Sequence, residues 1–211
     1  MSRCFIVGAG DYSGGVPKRG DFIIAADGGY TALVSRGITP DLVVGDFDSL
    51  GGVPDHPNII QSPAEKDDTD MMLAIKQGIK RGCRTFIIDG ALGGRLDHTL
   101  ANIQLLTYLA QNGARGVLLG RDICITALKN GAAGFNADAS GCISVFSAGG
   151  KAGGVTLEGL KYPLAEATLS SDYPVGVSNE FIGAPARISV SDGVIIVTWT
   201  CGIEFLDEDK L

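Results

Sequence analysis

The chain has 211 residues, 45% of them hydrophobic, with 17 basic against 24 acidic side chains and a formal net charge of −7. That length buries a real core in one large domain or two small ones, and the hydrophobic share excludes a disordered chain. The acidic balance excludes a general nucleic-acid binder, whose affinity needs a basic footprint.

Only two histidines, His56 and His98, are present, too few for a multi-histidine zinc site, so any catalysis leans on carboxylates. Cys4, Cys83, Cys124, Cys142 and Cys201 are odd in number and lack CxxC spacing, which fits reduced thiols rather than a disulfide frame. The apolar run at 4–10 is broken by Asp11 and has no cleavage-site pattern, and no run is long enough to cross a bilayer. A cytoplasmic protein with no membrane or nucleic-acid partner is expected.

In chain order, apolar runs rich in Ile, Val and Phe at 4–8, 21–26, 41–46 and 85–89 predict buried strands. Helical spacing occupies 29–36, 69–81 and 97–112. The second helix is the clearest, with Met72, Ile75 and Ile79 in one stripe and Gly82 just beyond its end. The third places Leu100, Ile103, Leu106 and Leu109 on one side, with Gly113 as C-cap. Strands alternating with helices predict an α/β domain whose mainly parallel sheet is flanked by helices.

After Gly113 the period changes. Strand-like runs at 116–120, 123–129, 142–147, 155–158, 187–190 and 194–200 are separated by turn signals such as Asn130-Gly131, Gly149-Gly150 and Asp192-Gly193. The last, between β-branched runs, is a hairpin signal. A smaller all-β C-terminal domain, a sandwich or barrel, is therefore expected, with the division at 1–120 and 121–211. Trp199 falls in the final strand, where core packing is the ordinary role and ligand stacking the alternative.

Polar residues gather where the strands of the first half end. Asp27-Gly28-Gly29 follows one strand; ligands of open α/β sheets bind there, although Asp-Gly is also an ordinary turn. The next strand runs into Asp46 and Asp48. Alternate side chains of an extended strand share a side, so these carboxylates should aim at one point and repel unless a cation lies between them. Hard oxygen donors of this kind suit Mg²⁺ with substrate phosphates; the plain alternative is a solvated strand end with turn-forming aspartates.

The segment Glu65-Lys66-Asp67-Asp68-Thr69-Asp70 opens the second helix. Glu65, Asp67 and Asp68 read as helix-dipole partners. Asp70, next to Thr69 and deeper in the helix, reads as a metal or substrate ligand, and Lys66 as the cation placed to reach a phosphate. Asp89-Gly90 ends another strand. Arg95 can present a planar fork to phosphate oxygens, and Asp97 is an N-cap, a site carboxylate, or both. His98 is assigned to capping or packing. Ser178-Asn179-Glu180 reads as a polar loop.

Taken together and in order, these motifs resemble the thiamine pyrophosphokinase family. The pieces are Ala26-Asp27-Gly28-Gly29, Pro40-Asp41-Leu42-Val43-Val44-Gly45-Asp46-Phe47-Asp48-Ser49, Glu65-Lys66-Asp67-Asp68-Thr69-Asp70, and Gly90-Ala91-Leu92-Gly93-Gly94-Arg95-Leu96-Asp97-His98 with Asn102 a turn later. Leu157-Glu158-Gly159-Leu160-Lys161-Tyr162-Pro163-Leu164 and Gly176-Val177-Ser178-Asn179-Glu180 extend the likeness into the second half. The resemblance implies an N-terminal α/β catalytic domain that binds nucleotide and metal, and a C-terminal β-sandwich for thiamine binding and dimerisation. It implies a homodimer with active sites at the subunit interface, and the transfer of a diphosphoryl group from ATP to thiamine with Mg²⁺. It makes Asp46, Asp48 and Asp70 the metal carboxylates, and Asp48, Asp70 and Asp97 the catalytic group. Asp27, Gly28, Lys66, Thr69 and Arg95 lie by the nucleotide, and Ser178, Asn179 and Asp97 by thiamine. On the residues alone, a kinase for another alcohol, a metal-dependent phosphohydrolase and a non-catalytic sensor remain alternatives.

Overall fold

The structure, a computed structural model, describes residues 3–48, 51–63, 67–200 and 202–205. The chain forms two compact units, residues 1–105 with 118–121 and residues 106–117 with 122–211.

In the first unit, β1 (Arg3–Val7), β2 (Phe22–Ala26), β3 (Leu42–Gly45), β4 (Ile59–Gln61) and β5 (Thr85–Asp89) lie in the order β5-β1-β2-β3-β4, and every pairing is parallel. Their unbroken apolar sequences follow from burial on both faces: Phe5, Ile6, Ile24, Val43, Val44, Phe86 and Ile88 are all inaccessible to solvent. β4 escapes sequence reading because three residues are too short to show a period.

Three helices pack onto these strands or follow them: α1 (Gly29–Val34), α2 (Asp70–Lys80) and α3 (Leu96–Gln111). A Cβ on Gly29 would stand 2.0 Å from the Val7 carbonyl oxygen, so α1 starts hard against the end of β1. In α2 the buried seam is Met71, Ala74, Ile75 and Gly78 rather than the expected Met72–Ile75–Ile79 stripe. Small residues hold that seam because a Cβ on Gly78 would lie 2.5 Å from the Phe86 ring. In α3 the seam is Leu105, Leu106 and Leu109 together with a polar residue, Asn102, while Leu100 is exposed. The chain crosses between the units through α3 and β6 (Arg115–Leu119).

The second unit contains β7 (Cys124–Lys129), β8 (Ala132–Phe135), β9 (Cys142–Ser147), β10 (Lys151–Glu158), β11 (Leu164–Ser170), β12 (Asn179–Glu180), β13 (Ala186–Ser189) and β14 (Val194–Trp199). One sheet runs β12-β9-β14-β7 and the other β11-β10-β13-β8, with antiparallel pairing. Phe135 of β8 meets Trp199 of β14 edge-on at 5.3 Å between ring centroids. That contact joins the two sheets as a sandwich. Trp199 is fully buried and its indole N–H donates to the Gly202 carbonyl at 3.3 Å, so the core role is the one realised.

The pairings among β1–β5 are thus parallel and those among β7–β14 antiparallel, and the fold as a whole is mixed, with few helices. The expected hairpin at Asp192-Gly193 is not one, since β13 and β14 belong to different sheets. There the chain changes sheets, and the turn is tied to another sheet-changing turn: the Gly193 N–H donates to Asn130 Oδ1 at 2.9 Å and the Asn130 N–H to the Gly193 carbonyl at 3.2 Å.

Candidate active site

The carboxyl ends of β1, β2, β3 and β5 open onto a cleft of about 670 Å³ within the first unit, the ordinary ligand edge of a parallel sheet. Asp27, Asp46, Thr69, Asp70 and Arg95 all line it. Gly28, Asp48 and Asp97 do not appear on its lining, and Lys66 lies outside the described residues. Gly28 is instead the N-cap of α1.

Asp27 holds a left-handed backbone, φ 48°, which aspartate tolerates better than most residues. Its N–H donates to the Val44 carbonyl at 2.8 Å, and its carbonyl accepts from the Tyr30 N–H at 3.1 Å as α1 begins. Its position is therefore set by β3 on one side and a helix start on the other.

The extended-strand geometry expected for Asp46 and Asp48 is not found. β3 ends at Gly45, and Phe47 turns left-handed, φ 64°, while its ring is buried. Burial of that ring drives the turn, and the Asp48 N–H then donates to Asp46 Oδ1 at 3.2 Å. Asp46 lines the cleft and Asp48, beyond the turn, is exposed. Among the described residues no three His, Cys, Asp or Glu side chains stand together as a metal cluster. The donor chemistry still fits Mg²⁺, which takes one or two carboxylates and fills its shell with water and phosphate oxygens.

Thr69 caps α2, its Oγ1 accepting from the Met72 N–H at 3.2 Å, which fixes Asp70 as the first helical residue facing the cleft. Arg95 and Asp97 are bound to each other in a bidentate pair, 3.1 Å from Nε to Oδ1 and 2.6 Å from Nη2 to Oδ2. The Arg95 hydrogen bonds hold the Asp97 carboxyl below its ordinary range, and the same bonds raise Arg95. Asp97 lies inside the first turn of α3, so the N-cap reading is not realised.

The far wall of the cleft is backbone. Gly8 N–H donates to the Asp89 carbonyl at 2.9 Å and Gly10 N–H to the Gly90 carbonyl at 2.7 Å, pairing the segments after β1 and β5. A Cβ on Gly8 would stand 2.6 Å from the Gly90 oxygen, and one on Gly90 2.5 Å from the Gly8 oxygen, so only glycine permits this approach.

Comparison with known proteins decides the family. Residues 16–118 match the family model described as the thiamin pyrophosphokinase catalytic domain, and residues 136–195 match its vitamin B1 binding domain. The chain is 30% identical over 181 residues to the thiamine pyrophosphokinase of Bacillus subtilis, covering 82% of this chain and 85% of that protein. The chain belongs to the thiamine pyrophosphokinase family. The crystal structure of the B. subtilis thiamine pyrophosphokinase superposes with a TM-score of 0.83 at 26% identity, covering 95% of this chain and 99% of that one. A thiamin pyrophosphokinase family protein from Enterococcus faecalis gives a TM-score of 0.78 at 30% identity, covering 95% and 99%.

Within the part matched by the thiamin pyrophosphokinase B1 binding model, Ser178 is exposed and left-handed, φ 59°, and its N–H donates to Ser144 Oγ at 3.0 Å. Asn179 is buried, with Oδ1 accepting from the Tyr162 N–H at 2.9 Å and Nδ2 donating to the Tyr162 carbonyl at 2.7 Å. Its amide is committed to holding that turn. Three further residues reach the cleft for which the sequence alone indicates no site role: Asp68, His98 and Asn102. Asp68 pairs with Lys76 at 2.6 Å, and buried Asn102 donates to the Ala91 carbonyl at 2.7 Å. A polar residue in the apolar seam of α3 was the available signal for Asn102.

Proposed function

We propose that the protein transfers the diphosphoryl group of ATP whole to the hydroxyl of thiamine, giving thiamine diphosphate and AMP. The observation that carries this reading is the meeting of Asp27, Asp46, Thr69, Asp70 and Arg95 on one strand-end cleft in a chain of this family. The thiamine oxygen attacks the β-phosphorus of ATP; the bond from that phosphorus to the α–β bridging oxygen breaks, and AMP leaves. Such transfers depend on positioning and charge neutralisation more than on covalent chemistry by the protein.

Asp46 and Asp70 are the carboxylates that would hold Mg²⁺, with the exposed Asp48 as the third. Bound there, Mg²⁺ would neutralise phosphate charge developed during transfer. Arg95, with Nε and one Nη2 hydrogen engaged by Asp97, has its remaining N–H groups for phosphate oxygens, and Asp27, Gly28, Lys66 and Thr69 complete the nucleotide side. The hydroxyl proton passes to a carboxylate, Asp97 or Asp70. The Arg95 hydrogen bonds favour the ionised form of Asp97 and, by lowering its pKa, make it the weaker base for as long as the pair is intact.

Residues 1–120 supply the catalytic part of this reading and 121–211 the thiamine-binding and dimerising part. The protein works as a cytoplasmic homodimer with active sites at the subunit interface. Ser178 meets thiamine from the partner's sandwich, while Asn179 shapes the loop that presents it. The acidic surface favours approach of the cationic thiazolium ring.

Incubation with ATP, Mg²⁺ and thiamine tests the reading through nucleotide and vitamin products analysed together. AMP with thiamine diphosphate is expected. ADP would mean a simple kinase, free phosphate a hydrolase, and binding without turnover a sensor.

A further inference from the structure

Asp89, the last residue of β5, is completely buried and takes no part in the chemistry above. Its carboxylate accepts four hydrogen bonds. Oδ1 receives the Ser13 N–H at 2.7 Å and the Gly90 N–H at 2.7 Å; Oδ2 receives the Gly15 N–H at 2.8 Å and the Ser13 hydroxyl at 2.9 Å. Three of these donors come from an irregular stretch 74 to 76 residues away in sequence.

A carboxylate removed from water is costly unless its lone pairs are met. Here they are met only while the segment Ser13-Gly14-Gly15 stays folded over β5, so charge and loop hold each other in place. The same segment leads back to the cleft. Gly8 and Gly10 pair with the backbone of Asp89 and Gly90, and the Asp11 N–H donates to the Leu92 carbonyl at 3.0 Å. Asp11 also lies over Gly93, where a Cβ would stand 2.3 Å from Asp11 Oδ2. Gly8, Gly10, Gly90 and Gly93 are cleft wall.

We propose that Asp89 is a positioning residue for the nucleotide, its buried carboxylate clamping the Ser13–Gly15 segment so that the glycine wall keeps the spacing ATP requires. This rests on the reading of the cleft as an ATP site. The clamp acts on binding of the triphosphate and leaves the thiamine side and the transfer step to other residues.

The test compares Asp89→Asn and Ser13→Ala with the wild-type protein. Asparagine keeps the shape but turns an NH₂ toward donors that need an acceptor; alanine removes one donor and leaves the three backbone ones. In Asp89→Asn the ATP KM rises about tenfold or more, the usual cost of losing a supporting hydrogen-bond partner. The thiamine KM stays unchanged and kcat falls far less. Ser13→Ala shifts the ATP KM in the same direction by less. Calorimetric binding of a non-hydrolysable ATP analogue follows the same order and needs no turnover. An unchanged ATP KM beside a lowered melting temperature, or equal rises in both KM values, overturns the clamp. If Asp89→Asn does not fold, Ser13→Ala alone decides: no change in its ATP KM or analogue binding overturns it. A wild-type protein that neither binds the analogue nor forms AMP would instead sink the reading of the site itself.

Discussion

Two clefts of similar volume lie at opposite edges of the parallel sheet of the first unit, about 670 Å³ at the carboxyl edge and about 560 Å³ at the amino edge. The amino-edge cleft has the more familiar look of an anion site, with Lys80 and Arg81 beside Phe22. Three of its polar residues are nevertheless committed to local structure. The Arg81 guanidinium stacks 4.6 Å from the Phe22 ring centre, Asp41 Oδ2 accepts from the Ile23 N–H at 2.8 Å, and Asn58 Nδ2 donates to the Asp41 carbonyl at 3.1 Å. Basic residues at the end of α2 also complement its dipole. At the carboxyl edge, separate strand ends each send a polar residue to one place. Volume does not separate the two clefts; the origin of their side chains does.

The sharpest way to break that contrast is Asp70→Asn. With one carboxylate oxygen replaced, kcat is expected to fall by about 10²–10³-fold, the scale of losing one preorganised electrostatic contact to the reacting phosphates. Folding should persist, because a half-buried acid in a first helical turn contributes only about 0.3–1 kcal/mol. Kinetics and thermal melting on the same sample check this. Near-wild-type kcat would mean the metal carboxylates are assigned wrongly.

A smaller effect is expected from Arg95→Ala. Loss of a hydrogen bond to a charged group should raise the ATP KM about tenfold or more. The variant also has a titration signature. Asp97 in the wild-type protein titrates below the ordinary value of 3.8, because its ionised form is bound by Arg95. A depressed native value means that whatever stability the pair adds is present above the unfolded value and disappears as pH falls through the native one. Removing Arg95 should therefore move the Asp97 midpoint upward, read from its carboxyl carbon by NMR. An unmoved midpoint would show that the bidentate pair does not persist in solution.

Much of this edge is legible in the sequence, because parallel strands announce themselves as apolar runs and their ends are marked by Asp27, Asp46 and Asp89. Thr69 as a cap was legible for the same local reason. What local pattern could not show was anything dependent on distant burial. Phe47 turns the chain between Asp46 and Asp48 only because its ring has a core to enter. Asp89 finds its donors on a glycine-rich stretch with no period of its own. In the second unit β8, Ala-Ala-Gly-Phe, lacks the β-branched residues that mark a strand, and forms one because β13 pairs with it. Asp192-Gly193 shows the converse, a strong local hairpin signal overridden by the sheets on either side.

The smallest expected effect is the most exacting test of the contrast between the two edges. Lys80→Ala and Arg81→Ala each remove an exposed cation from the amino-edge cleft without touching the strand ends opposite. Neither side chain lines the carboxyl-edge cleft, so kcat/KM for ATP and for thiamine should remain within about twofold of wild type, under about 0.5 kcal/mol. Arg81→Ala also loses its stacking on Phe22 and should lower stability by about 0.5–1 kcal/mol in a denaturant melt, while Lys80→Ala should not. The two variants therefore separate a packing cost from a chemical one. A tenfold loss of kcat/KM in either would show that the amino edge takes part in the reaction, and that the strand ends do not make the site alone.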